Sequence, residues 1–127
     1  MTDRTITWLP MPEHHDYGAA EDYLRLVLDP GDADRAAHEL REAKHTRTWK
    51  AKDILRAAQL EPLPADNEGV AAKRAKITEA KPLSPVLLVE REDGPLIVAD
   101  GYHRVSASYI EDEDTGVPAV EASLREH

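Results

Sequence analysis

The chain has 127 residues, 41% of them hydrophobic and 32% charged, with no Phe and no Cys. That length fits one domain with a moderate core built on Leu, Val, Ile and Ala, and the absence of cysteine excludes a disulfide framework, a thiolate metal site and a cysteine nucleophile. The net charge of −9 counts against nonspecific nucleic-acid binding, which depends on neutralising phosphates, and no apolar run approaches the roughly 18 residues of a membrane helix.

Met1 to Pro10 shows no apolar signal-peptide core, so a cytoplasmic location is expected. Thr5 to Leu9 alternates weakly, as an edge strand does, and Pro10 and Pro12 end it. An amphipathic helix is expected over Ala19 to Leu28, because Ala20, Tyr23, Leu24, Val27 and Leu28 recur at helical spacing. Tyr23, Leu24 and Val27 should therefore be buried. Asp29-Pro30-Gly31 stops that helix, and a second is expected over Ala33 to Ala43 with Asp32 as N-cap. Its thin stripe of Ala36, Ala37 and Leu40 suits a surface helix.

Thr46 to Lys50 reads as a short strand and Lys52 to Leu60 as a short helix with Ile54, Leu55 and Ala58 inward. Glu61-Pro62-Leu63-Pro64 is extended. A further helix fits Asn67 to Thr78, with Val70, Arg74 and Ile77 on one side. Val86 to Val89 and Leu96 to Ala99 are apolar runs flanking a Glu-Asp-Gly-Pro turn, which predicts a buried hairpin. Asp100-Gly101 then opens a helix over Tyr102 to Ile110, the acidic run Glu111 to Asp114 leaves it, and Val117 to Val120 is a last strand. The pattern predicts an α/β fold with a small mixed sheet and surrounding helices. Residues 1–43 form an N-terminal helical extension and residues 44–127 the α/β unit.

Charge is distributed unevenly. Residues 1–43 hold 4 basic and 10 acidic side chains, residues 44–81 hold 9 and 5, and residues 82–127 hold 3 and 10. The central basic segment suits either a solvated face or a small anion. The most informative site is Asp100-Gly101-Tyr102-His103-Arg104. Gly101 allows a tight turn, and the first turn of the following helix offers free N–H groups and a positive dipole end. His103 and Arg104 stand there against the dipole, which calls for a negative partner. A bound phosphate is one such partner, and an internal carboxylate such as Asp100 or Asp53 is the other. Asp100 suits a turn cap or, beside a phosphate, a Mg²⁺ ligand. Asp53 and Arg56 share a helix face, where they either pair or line the cleft of His103. His14, His15 and Asp16 cluster beside Tyr17 without enough ligands for a metal site, and no metal site is expected.

The run Pro85 to Val89, a turn, Leu96 to Ala99, Asp100 to Arg104 and then Ala107 resembles the ParB/sulfiredoxin superfamily, in which a hairpin leads into a Gly-x-His-Arg or Gly-x-Arg-Arg motif at a helix start. The resemblance covers about residues 46–122 and includes the order of Pro62-Leu63-Pro64, a helix, Pro82 and Pro85. Lys52 to Ala57 together with Asp100 to Arg104 also looks like a group of short bacterial ParB-like proteins. The resemblance implies a ParB/sulfiredoxin-like fold and nucleotide phosphates at the motif, ATP in sulfiredoxin and free-serine kinases and CTP in ParB. It implies a ligand set of Gly101, Tyr102, His103 and Arg104, with Lys73, Lys76 and Arg56 adding charge and Asp53, Asp100 or His103 as catalytic candidates, and with ATP or another nucleotide and Mg²⁺ as the cofactors. Tyr102 stands where sulfiredoxin has its catalytic cysteine, which excludes sulfinic-acid reduction. Gly69 falls where sulfiredoxin has a phosphate-contacting lysine. No DNA-reading helices are expected after the motif, and the charge disfavours a nuclease. The expected partner is a small phosphate-bearing ligand held by a non-catalytic or regulatory domain; the alternative is a nucleotide-dependent phosphotransferase or hydrolase.

Overall fold

The computed structural model describes residues 5–125. In chain order the elements are α1 (His14–Val27), α2 (Pro30–Glu42), β1 (Arg47–Lys50), α3 (Ala51–Ala58), α4 (Glu68–Thr78), β2 (Val86–Glu90), β3 (Ile97–Asp100), α5 (Tyr102–Glu111) and β4 (Gly116–Ser123). The fold is mixed α/β. Four strands lie in the order β1-β4-β2-β3, with β4 and β2 parallel and the two outer pairs antiparallel. No helix among the described residues is long and apolar enough to cross a membrane.

The apolar runs predicted as a hairpin are β2 and β3, and Val86 to Val89 are all buried. Alternation along the strands divides the core between two faces. Leu87, Val89, Val120 and Ala122 pack against Ala20 and Leu24 of α1 and Ala33, Ala36 and Leu40 of α2. Val86, Leu88, Val117 and Ala119 pack against Ile54 and Leu55 of α3 and Val105 of α5. A third cluster joins Val70 and Ile77 of α4 to Ala107 of α5, Leu83 and Ile6. The helices of residues 1–43 thus cover one face of the sheet formed by residues 44–127; residues 1–4 and 126–127 of those segments lie outside the described residues.

Three local expectations need correction. α1 starts at His14, five residues before Ala19, so its inward stripe is Asp16, Ala20 and Leu24 at four-residue spacing. Tyr23 and Val27 fall on the flank and are 44% and 40% exposed. α2 begins at Pro30, where proline's missing N–H costs nothing, and its cap is Asp29, whose Oδ1 accepts the Asp32 N–H at 2.9 Å. α2 lies at the surface as its thin stripe predicts: Ala33, Ala36, Ala37 and Leu40 are buried and most of the remaining residues are exposed. Of Thr5 to Leu9, only Trp8 forms a bridge, to Leu83.

Candidate functional site

The site begins with an irregularity in β3. Leu87 pairs with Asp100 but Leu88 pairs with Val98, so Ala99 is an extra residue. Such a bulge re-aims the next side chain. Residues directly opposite in an antiparallel pair share a face, and Leu87 faces α1 and α2. The bulge therefore puts Asp100 on the α1 side, where strict alternation after Ala99 would have sent it to the other face.

Gly101 follows with φ of 122°, a conformation that suits glycine. A Cβ there would collide with the Val86 side chain and lie 3.1 Å from an Arg104 nitrogen. α5 opens at this residue without a side-chain cap, and Val105 is bonded back to the Gly101 carbonyl at 2.9 Å. The N–H groups of the first turn have no intrahelical acceptor.

Arg104 does not face an open cleft. Its side chain is 8% exposed and turns back to Asp100, with Nη2 to Oδ2 at 3.0 Å. Nη1 lies 3.9 Å from Asp16 Oδ1, which is 4% exposed. Nη2 also reaches the Pro85 carbonyl at 3.4 Å, while the buried Nε makes no hydrogen bond among the described residues. The negative partner demanded by Arg104 is thus internal: Asp100 and a residue not anticipated, Asp16. Asp16 closes the first turn of α1 by accepting the Glu13 N–H at 2.9 Å. Burial pushes the Asp100 carboxyl above its usual range, against the pull of Arg104 and with a further push from Asp16.

His103 is exposed, and its ring covers Gly69 so closely that a Cβ at Gly69 would sit 2.5 Å from His103 Cδ2. The start of α4 is thereby set against the start of α5. Two further contacts hold this arrangement: the Tyr102 hydroxyl donates to the Glu61 carbonyl, and the Leu63 N–H donates to buried Ser106 Oγ at 3.0 Å. The Glu61 to Pro64 segment is strapped along α5 and delivers Asn67, whose side chain caps α4 through Val70 at 3.1 Å.

Lys73, one turn into α4, is only partly exposed. Burial lowers its pKa, and Lys76 and Arg104 lower it further, against the opposing fields of Asp16 and Asp100. Lys73, Lys76, Arg104, Asp16 and Asp100 therefore form one electrostatic neighbourhood beside His103. No protein-family model, curated protein or solved structure matches the chain.

Asp53 and Arg56 are not part of that neighbourhood. They pair with each other at 3.1 Å and line a cleft of about 900 Å³ that includes none of residues 100–104. Of the two arrangements the sequence leaves open, the structure shows the pairing and not the convergence with His103, because α3 packs on the sheet beside β1. The acidic exit of α5 is partly paired: Lys52 lies 2.9 Å from Asp114, and Arg74 lies 3.7 Å from Glu111. Glu13, His15 and Asp16 bring ligand atoms within 4.8 Å of one another. Asp16 and Asp100 already serve Arg104, so these carboxylates fit a Mg²⁺ ion only if the guanidinium is displaced.

Proposed function

We propose that the junction of α1, α4 and α5 binds a phosphate-bearing ligand, with a nucleotide as the preferred class, and that the chain is a binding or regulatory module. The observation that carries this reading is the uncapped start of α5 at Gly101 beside Lys73, a partly buried lysine whose charge is disfavoured by burial and by two cationic neighbours. An anion there accepts the free first-turn N–H groups and relieves the lysine. His103 adds a donor from the exposed side. Lys76 and Arg104 add positive charge around Lys73, opposed by Asp16 and Asp100. The resemblance of Asp100 to Arg104 to nucleotide-binding motifs points the same way.

Arg104 enters this reading as a positioning residue. It fixes β3, the Gly101 turn and α1 relative to one another and makes no direct ligand contact. Its claim on both nearby carboxylates favours binding over phosphoryl transfer, which needs a carboxylate free to hold a metal or position a nucleophile.

Thermal unfolding with ATP, CTP, pyrophosphate and inorganic phosphate, each with and without Mg²⁺, tests the reading. A ligand held only by the folded state must raise Tm with concentration. A concentration-dependent rise is expected for at least one of these compounds, reduced in His103→Ala and Lys73→Ala. No rise at roughly millimolar concentration overturns the reading. Release of phosphate from ATP or CTP at a rate lost in Asp100→Asn would favour the phosphotransferase or hydrolase instead.

A further inference from the structure

The cleft between α3 and β1 lies apart from the phosphate junction. Its volume of about 900 Å³ is that of a small-molecule site. Its floor is apolar, formed by Leu88, Leu96, Ala119 and Ile54. Arg47 and Trp49, two residues apart on β1, share a sheet face at its wall.

Trp49 is held in a fixed pose. Its Nε1–H donates to Glu121 Oε1 at 3.0 Å, and the Arg47 guanidinium sits 4.6 Å from the ring centroid. The indole's single donor is used, so it offers a visitor only ring surface. Each of the other carboxylates along the cleft already accepts an internal hydrogen bond through one oxygen. Asp53 takes Arg56 at 3.1 Å, Glu90 takes Ser123 Oγ at 3.0 Å, and Glu39 takes the Ser123 N–H at 3.1 Å.

The donors are in the opposite condition. Arg47 makes no hydrogen bond among the described residues, its nearest carboxylate being Glu121 at 3.9 Å. Lys44 lines the same cleft, is exposed and has no polar partner among the described residues. Arg56 is 85% exposed and satisfies a single acceptor. An apolar floor, an aromatic wall and two cations that donate no hydrogen bond among the described residues, beside carboxylates that each already accept one, define complementary chemistry: a flat ring for the floor and wall, and a planar anion for the guanidinium forks. We propose that this cleft binds a small aromatic carboxylate.

The probe is 2-naphthoate, titrated into the full chain by calorimetry and by NMR of the Trp49 indole N–H, identified with Trp8→Phe. Saturable binding that shifts this resonance is expected. Arg47→Ala and Arg56→Ala should each weaken it roughly 10-fold, the scale of one lost charge-assisted contact. 2-Naphthylmethylamine, which has the same ring and the opposite charge, should bind at least about 10-fold more weakly. His103→Ala should leave naphthoate affinity unchanged, which separates this site from the phosphate junction. Equal affinity for the amine, unchanged affinity in both arginine variants, or no saturable binding of naphthoate at roughly millimolar concentration overturns the proposal.

Discussion

Two arginine–aspartate pairs, each within about one helical turn, are close to identical in length and opposite in consequence. Arg104 and Asp100 meet at 3.0 Å with side chains 8% and 23% exposed. Arg56 and Asp53 meet at 3.1 Å with side chains 85% and 41% exposed. The first pair is enclosed by α1 and shares its guanidinium with Asp16; the second stands at the rim of an open cleft. Burial decides what each does. An enclosed charge pair is costly to break because one partner is left desolvated, whereas an exposed pair is screened and exchanges readily with water. The α5 arginine is therefore a brace and the α3 arginine is available to a ligand.

The largest effect expected from this contrast is on stability. Arg104→Ala should cost about 3–5 kcal/mol, because Asp100 and Asp16 lose their shared cation while still enclosed. Denaturant titration reads this directly, and adding Asp16→Asn should restore part of the loss. Arg56→Ala should cost no more than about 1 kcal/mol. Equal losses in the two alanine variants would remove the distinction between brace and rim.

Gly101→Ala should come next, at about 1–3 kcal/mol, from a left-handed backbone and a collision with Val86. A smaller effect appears in pH dependence. In the folded chain Lys73 gives up its proton more readily than in the unfolded chain. Between its lowered pKa and the ordinary lysine value, unfolding takes up a proton, so stability rises with pH across that window. Lys73→Met should abolish this slope in Tm against pH, and a slope unchanged in the variant would mean that Lys73 is not its source.

The contrast between the arginines also shows what the sequence carries. The apolar runs of β2 and β3 and the Gly101 turn are legible because burial on both faces and a positive φ impose strong local composition. The partner of Arg104 is less so. Asp16 lies in a different helix, and it enters the inward stripe only when α1 is started at His14; a lone carboxylate four residues before Ala20 and eight before Leu24 is then the signal of a buried partner. The bulge at Ala99 leaves no compositional mark, yet it decides which face Asp100 takes. The spacing of Asp53 and Arg56 leaves a simple pair and a shared cleft with His103 both open, since spacing records proximity along a helix and not what covers it. Gly69 reads as a departure from a lysine position; in the structure it is the space the His103 ring occupies.

His103→Ala should leave stability within about 0.5 kcal/mol, since the side chain is exposed, and should lower phosphate-ligand affinity by roughly 10-fold or more. The most direct test of the central claim is therefore an amide-resolved NMR titration of the wild-type chain with pyrophosphate. The expected result is saturable shifts centred on the N–H groups of Gly101 to Arg104 and on Gly69, weakened in His103→Ala and in Lys73→Ala. No saturable shift, or shifts confined to the cleft beside Trp49, would contradict it.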